Sequence, residues 1–217
     1  MLILAASELR LTTPLEIVSV LSLLALLPAA LASLTPFLRI TLVLHFLRQA
    51  LGTQTAPSNP VLLGLGLFLT ILVMQPVARE LQAKALDPYM KNEMTLLQAL
   101  EAARDPVHSF LLRFAREKDL QLFLELTKTP PPKLPQDVEL RVLMPAYVLS
   151  ELRTGFQIGA VLFLPFLIID LVVASVTLSI GMVQLPPAMV SAPFKILLFV
   201  LVDGWNLVIG SLMRSFA

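Results

Sequence analysis

The hydrophobic and polar positions divide the chain into three parts. Residues 17–34 and 49–78 carry no charge, and the sequence is largely apolar again after residue 153. Between these parts, residues 79–153 hold 22 of the 31 charged side chains, 11 basic and 11 acidic. We therefore divide the chain into N-terminal apolar helices (1–78), a polar helical middle region (79–153) and a C-terminal helical hairpin (154–217).

The polar middle region has the sequence signals of amphipathic helices. Apolar side chains recur near a helical period between residues 107 and 126. Thr95 and Gln98 match a capping box, and Asp105 followed by Pro106 repeats the pattern of a helix start. No segment of useful length alternates with a strand period. The fold class is therefore all-α.

Glycine and proline mark the connections and one packing site. Residues 52–60 and 128–137 have loop composition, and the second stretch holds four prolines, which predicts an extended linker. Gly52 is placed as a helix C-cap. Gly64 and Gly66 lie inside an apolar helix, where small residues indicate close packing between helices.

The first apolar run, residues 17–34, allows two interpretations. Residues 30–32 read Ala-Leu-Ala, which fits cleavage of a signal peptide after Ala32. The preceding segment, however, carries two acids against one arginine, whereas a signal peptide needs a basic flank. We therefore expect a retained helix that bends at Pro36 and continues to residue 51.

The C-terminal part contains a stretch long enough to cross a bilayer but poorly suited to one helix. Asp170 and Lys195 enclose 24 uncharged residues, and about 20 suffice for a span. The centre of the stretch predicts a tight reversal between antiparallel helices, residues 154–180 and 188–213, of roughly 40 Å each. That centre reads Gly181, Met182, Val183, Gln184, Leu185, Pro186 and Pro187.

Four charges interrupt the apolar sequence and are candidates for burial. The reversal places Asp170 and Lys195 at matching depth, so we predict an ion pair within one chain or between adjacent copies. Arg153 and Asp203 are the other two. Charges in apolar segments are costly and are usually paired or functional. We favour structural pairing over a proton relay, because a relay needs several titratable groups in line.

The remaining composition argues against several classes of function. The chain has no cysteine, which excludes disulfides, thiolate catalysis and cysteine metal sites. His45 and His108 have no partner at ligand spacing, and neither a nucleophile elbow nor a nucleotide-binding glycine pattern is present. A net charge of +1 gives no argument for nucleic-acid binding. We expect a protein that is not an enzyme and has no cofactor.

Several long segments are similar to the FliP family, and their sequences resemble its flagellar branch more than its injectisome branch. The resemblance begins near residue 15 and continues to the C-terminus. Its main segments are LRQALGTQTAPSNPVLLGLGLFLT (47–70), LLRFAREKDLQLFLEL (111–126), PAYVLSELRTGFQIG (145–159), PFLIIDLVVASV (165–176) and PPAMVSAPFKILLFVLVDGWNLVIGSL (186–212).

The resemblance implies a core subunit of the flagellar type III export gate. It implies that several copies, typically five, assemble with FliQ and FliR homologues into a ring-like or helical pore at the inner membrane. It also implies FlhA and FlhB homologues as neighbours in the basal body, contact with membrane lipid, and unfolded flagellar proteins as substrates. The alternatives are an injectisome export subunit, a small-solute transporter or a membrane-anchored scaffold.

The resemblance also assigns a role to the hairpin loop. Many relatives carry a run of methionines after the equivalent of Gly181, which implies a flexible gasket closing the pore. This chain keeps only Met182 of that run. Val183 and Leu185 can seal a pore by apolar contact, whereas the polar side chain of Gln184 makes the loop more hydrated.

Membrane orientation is predicted from two arginines. Arg39 and Arg48 lie in an acid-free stretch between the first two apolar runs. Basic segments between spans tend to stay in the cytoplasm. This rule places residues 79–153 on the periplasmic side.

Overall fold

Helices and the connections between them make up the part of the chain that the structure describes. The structure is a computed structural model, and it describes residues 32–53, 55–182 and 186–216 together with positions 18, 21, 22 and 25. These residues contain no strand, which confirms the all-α prediction. The choice between a retained helix and cleavage after Ala32 concerns a segment that lies largely outside the described residues.

The helices follow one another with short connections. They are α1 (Phe37–Ala50), α2 (Asn59–Leu81), α3 (Asp87–Met90), α4 (Leu96–Phe114), α5 (Glu117–Leu126), α6 (Leu140–Ser179), α7 (Pro187–Leu201) and α8 (Gly204–Arg214). A π-helical turn, Gln82–Leu86, joins α2 to α3, and a 3-10 turn, Pro135–Asp137, precedes α6. Residues 128–134 are not helical, as the proline-rich composition predicts.

Helix α1 lies at the centre of the apolar part, between α2 and α6. It buries four aliphatic side chains at helical spacing, Ile40, Val43, Leu44 and Leu47, each at most 1% exposed. Both neighbours approach it through glycine. A Cβ atom at Gly66 of α2 would lie 2.9 Å from Thr41, and one at Gly159 of α6 would lie 2.3 Å from the Phe46 ring. The close-packing prediction thus holds for Gly66, whereas Gly64 faces open space.

A second apolar cluster joins the polar middle region to the same frame. The predicted capping box starts α4, since the Thr95 amide donates to Gln98 Oε1 at 2.8 Å. The second helix start is wrong, because α4 continues through Pro106. An internal proline costs a helix one backbone hydrogen bond. Buried side chains on both sides of it keep the helix in one piece. The cluster comprises Val77, Phe110, Leu111, Val138, Val142, Leu143 and Tyr147.

Two long helices connect the polar and apolar parts. The helical segment Asn59–Met90 and α6 are each long and apolar enough to span a membrane. At 1.5 Å per residue, the 40 residues of α6 extend about 60 Å. The segment Asn59–Met90 runs through the boundary at 78/79, and α6 runs through the boundary at 153/154. The three parts of the chain are therefore regions of different composition that continuous helices join.

The second arm of the hairpin differs from the prediction. Residues 188–213 do not form one helix of roughly 40 Å, because the chain bends by 68° between α7 and α8. Asp203 adopts a left-handed backbone conformation at the break, with φ +50°. The next residue, Gly204, packs so closely on Phe199 that a Cβ atom would lie 2.2 Å from the ring. A continuous helix would require both features to change.

Candidate functional site

The two charges that enclose the hairpin tip are in contact within one chain. Lys195 Nζ donates to Asp170 Oδ2 at 2.7 Å, and Ser191 Oγ donates to the other carboxylate oxygen. Ser191 and Lys195 lie four residues apart on α7 and therefore share one face. Lys195 is 5% exposed and Ser191 is fully buried, whereas the Asp170 side chain is 36% exposed. The ion pair neutralises the charge of the buried lysine, and the partly exposed carboxylate lies at the edge of the contact between α6 and α7.

The loop after α1 covers this ion pair from a third side. Gly52 has φ +75°, and its amide donates to the Gln49 carbonyl at 3.0 Å, as expected beyond a helix C-cap. A Cβ atom at Gly52 would lie 3.6 Å from Ala192 Cβ and 4.0 Å from Lys195 Nζ. The pair is therefore enclosed by α6, α7 and the α1–α2 loop.

The hairpin tip begins with a defined helix stop. Gly181 has φ +79°, and its amide donates to the Leu178 carbonyl while the Met182 amide donates to the Thr177 carbonyl. This pair of bonds is the Schellman motif, which favours glycine at the left-handed position. Pro186 and Pro187 then start α7. Proline is tolerated there because the first amides of a helix have no hydrogen-bond partner within the helix. Val183, Gln184 and Leu185 lie outside the described residues.

A second charged pair is buried deeper, at the other end of α1. The side chains of Arg39 and Glu151 form a two-bond ion pair, with Nε to Oε2 at 2.9 Å and Nη2 bonded to Oε1. They are 4% and 0% exposed. Arg39 Nη1 also donates to the Ser215 carbonyl at 3.1 Å, and its guanidinium carbon lies 4.1 Å from the centre of the Phe216 ring. The pair thus connects α1, α6 and the residues after α8.

A third cluster attaches α5 to α6. Asp119 is 1% exposed, accepts a hydrogen bond from Ser150 Oγ at 2.8 Å and lies 3.1 Å from Arg153 Nη2. The Arg116 amide donates to the same serine at 2.9 Å. Both carboxylate oxygens of this buried acid therefore have a partner.

Two of the charges expected to be buried lie at the surface of the single chain. Arg153 is exposed because its side chain reaches across to Asp119 on α5 instead of facing the interior of the hairpin. Asp203 is exposed at the break between α7 and α8, where it accepts a hydrogen bond from Asn206. The partners of Asp170 in the described part of the chain are Ser191 and Lys195, and neither Arg153 nor Asp203 is among them.

Sequence reasoning missed the pairs of Arg39 with Glu151 and of Asp119 with Ser150. The sequence pattern places Arg39 between two spans, but in the structure it is a buried residue of α1. This removes half of the basis for predicting the membrane orientation from positive charge. The available signal was Glu151 itself, which stands in an apolar run between Met144 and the glycines of α6.

The described residues contain no group of three or more side chains suited to hold a metal ion. His45 Nδ1 lies 2.7 Å from the Thr41 carbonyl, and His108 Nε2 lies 2.7 Å from the Val138 carbonyl. Each histidine thus has a backbone carbonyl as a partner of one ring nitrogen.

These features define the class of the protein. It is an all-helical membrane protein that pairs its deepest charges inside the chain and presents apolar side chains on the outside of its long helices. The FliP family model matches residues 20–212. The chain belongs to the FliP family.

Individual relatives agree with this assignment. The flagellar biosynthetic protein FliP of Pectobacterium carotovorum subsp. carotovorum is 52% identical over 205 residues, covering 94% of this chain and 80% of that protein. The protein of the same name from Bacillus subtilis is 47% identical over 201 residues, covering 93% and 91%. That of Caulobacter vibrioides is 48% identical over 201 residues, covering 93% and 76%.

These comparisons place the chain among the subunits of the flagellar export apparatus, with a location in a membrane. The shared flagellar name does not favour the injectisome alternative.

Proposed function

We propose that this chain lines the channel of the export gate, through which unfolded flagellar proteins cross the inner membrane. The observation that carries the proposal is the distribution of polarity around the hairpin tip. Lys195 is 5% exposed and paired, while Ile180 and Met189, on either side of the loop, are 68% and 73% exposed. A hairpin that hides its charges and presents apolar side chains is suited to pack against other subunits of a pore.

The length of α6 supports assembly over an isolated span. Its exposed apolar side chains extend from Phe156 to Leu178, a rise of about 33 Å at 1.5 Å per residue. The hydrocarbon core is about 30 Å thick, and further charged helices attach to the first part of α6. We infer that sister copies, together with FliQ and FliR homologues, cover much of this surface, with FlhA and FlhB homologues as further neighbours in the basal body.

The loop of residues 181–187 is the part we assign to closing the pore. Met182 is 42% exposed directly after the helix stop, and methionine repacks easily because it is unbranched. Replacing Met182, Val183 and Leu185 together by alanine should raise ion leak through the assembled complex in a conductance assay. The matched control is Met90→Ala, which removes an exposed methionine at the end of α3, outside the hairpin. Equal conductance of the triple variant and the unchanged chain would remove the loop from the sealing role.

Orientation can be tested directly because the chain has no cysteine of its own. We propose that the polar middle region lies on the periplasmic side of the inner membrane. A cysteine placed at Lys128, in an exposed turn, should then react with a membrane-impermeant maleimide in intact cells after the outer membrane is permeabilised. Reaction only after lysis would place this region in the cytoplasm.

The decisive experiment is electron microscopy of the chain purified with its neighbours. A closed or nearly closed ring with residues 181–187 directed into a lumen is the expected result. A monomer or dimer that encloses a solute cavity would contradict the proposal and favour a small-solute transporter. The break between α7 and α8 is the one feature that suits the transporter, because such sites form at broken helices.

A further inference from the structure

An open cleft lies between α6 and α8. Its volume is about 460 Å³, within the range of about 300–1,000 Å³ that small-molecule sites occupy. Such sites are mostly apolar and carry a few polar groups, and this cleft has the same character. Its apolar walls are formed by Val161 and Leu162 of α6 with Leu207 and Val208 of α8. Val161 and Leu207 are each more than half exposed, so the cleft is accessible from outside the single chain.

The two ends of the cleft differ in polarity. Arg39 bonds to both Glu151 of α6 and Ser215 after α8, so the end of α8 lies beside the earlier part of α6. The polar side chains of the lining are at this end, namely Gln157, Ser211 and Ser215. The opposite end is apolar. A ligand that fits both ends has a polar group joined to a hydrocarbon chain.

Arg116 lies at the polar end of the cleft. Its Nη2 donates to Gln157 Oε1 at 2.6 Å and to Thr154 Oγ1 at 3.0 Å, and both partners are neutral. Within the described part of the chain the guanidinium forms no ion pair, and its Nε and Nη1 have no hydrogen-bond partner. Three N–H donors of a positive group thus remain for an anion. The planar guanidinium matches the oxygens of a phosphate through two parallel hydrogen bonds.

The position of Arg116 along α6 is that of a lipid headgroup relative to its chains. Its two partners on α6 lie on either side of Phe156, where the exposed apolar side chains of this helix begin. Beyond the cleft, Leu164 and Ile168 are also exposed, and they lie three and seven residues after Val161, on the same face. A hydrocarbon chain that leaves the cleft therefore stays in contact with apolar surface.

We propose that the cleft between α6 and α8 binds one anionic phospholipid. Its phosphate lies at Arg116, and the first part of an acyl chain lies between Val161 and Leu207. An anionic lipid is favoured over a zwitterionic one, because the ammonium group of the latter already balances its phosphate, whereas Arg116 brings an uncompensated positive charge. Lipid binding here requires the membrane location of the chain but no pore, so this proposal and the sealing role of the hairpin loop can fail independently.

The single tryptophan of the chain provides the measurement. Trp205 lies in the first turn of α8, three residues before Val208 of the cleft. The full chain is reconstituted into phosphatidylcholine vesicles that contain a minor fraction of a lipid with brominated acyl chains, which quench tryptophan fluorescence on contact. We expect brominated phosphatidylglycerol to quench Trp205 more strongly than brominated phosphatidylcholine at the same fraction.

Two pairs of variants separate the cleft from general attraction to the membrane. Arg116→Gln should lower the preference for phosphatidylglycerol about fivefold, which corresponds to about 1 kcal/mol for one arginine at a membrane surface. Arg104→Gln removes an equal charge from an exposed position on α4 and should keep the preference. Val161→Phe narrows the cleft from an exposed position and should also lower the preference, whereas Leu167→Phe, exposed on α6 outside the cleft, should not.

Three outcomes would overturn the proposal. Equal quenching by the two brominated lipids would show that the cleft does not select an anionic headgroup. An equal loss of preference in Arg104→Gln and Arg116→Gln would show attraction by total charge alone. Absence of quenching by either lipid, in vesicles where cross-linking shows oligomers, would show that a neighbouring copy covers the cleft. Helical circular dichroism checks that each variant is folded, and the pair at Val161 and Leu167 decides the question if Arg116→Gln is not.

Discussion

Removing one charge from the pair formed by Asp170 and Lys195 should have unequal effects depending on which partner is removed. Asp170→Asn leaves an ammonium group that is 6% exposed without its counter-ion. Lys195→Met leaves a carboxylate that is 36% exposed and still bonded to Ser191. We therefore expect Asp170→Asn to be the more damaging change.

The expected magnitudes follow from burial and distance. Two unit charges 2.7 Å apart attract by about 6 kcal/mol at an effective dielectric constant of about 20, before their desolvation is subtracted. Leaving one buried charge unpaired costs about 3–5 kcal/mol, the range we assign to Asp170→Asn. For Lys195→Met we expect about 1–2 kcal/mol, near the value of a hydrogen bond to a charged group, because water reaches the remaining acid.

Thermal unfolding in detergent, followed by helical circular dichroism, measures this order. The double variant Asp170→Asn with Lys195→Met should be more stable than Asp170→Asn alone, since neither charge then stays unpaired. Lys84→Met is the control, because Lys84 and Glu80 form an exposed pair worth less than about 1 kcal/mol. Equal destabilisation by the two single changes, or strictly additive effects in the double variant, would refute the reasoning.

The same pair can be tested by exchanging its charges. Asp170→Lys with Lys195→Asp should recover assembly of the complex better than either single substitution. The yield of complex purified from membranes is the measurement. A double exchange as defective as the single changes would show that the two side chains do not act as a pair.

Three further substitutions probe the interior. Glu151→Gln should destabilise the chain by about 3–5 kcal/mol in the same melts, because its arginine partner is 4% exposed, whereas Glu139→Gln, at an exposed pair, should have little effect. Gly159→Ala should cost about 1–3 kcal/mol by overpacking against α1, and Gly64→Ala, with open space beside it, should not. Tyr147→Phe removes a buried hydroxyl that has no partner among the described residues, so it should be neutral or stabilising by about 1 kcal/mol. A lower melting temperature for this variant would show that the hydroxyl has a partner.

The sequence was sufficient where the signal is local or where few partners exist. The capping box at Thr95 and the reversal at Gly181 depend on residues within one or two turns, so short patterns determine them. The contact of Asp170 with Lys195 could also be expected, because both lie in a stretch with no other charge. Once the reversal is placed, each has a single counter-ion within reach.

The sequence was insufficient where contacts join distant segments. Arg39 and Glu151 are separated by 112 residues, and Glu151 lies in a charge-rich region that offers 11 nearer basic residues as partners. Burial alone distinguishes this acid from its exposed neighbours, and burial follows from the packing of α1 on α6. The break at Asp203 has a different cause, because the tight contact between Gly204 and Phe199 is local but has no known short sequence signature.

The three polar clusters share one helix, and this arrangement explains how an apolar chain selects a single fold. Helix α6 binds α5 through Ser150, α1 through Glu151 and α7 through Asp170. Apolar helices in a membrane gain little by choosing one apolar neighbour over another, because lipid tails are as apolar as leucine. An ion pair has one position at which both charges are satisfied, and any other register leaves a buried charge unpaired. We therefore expect changes at Glu151 and Asp170 to produce misassembled complexes as well as less stable ones, whereas truncation of exposed leucines on the same helix should reduce assembly without altering its register.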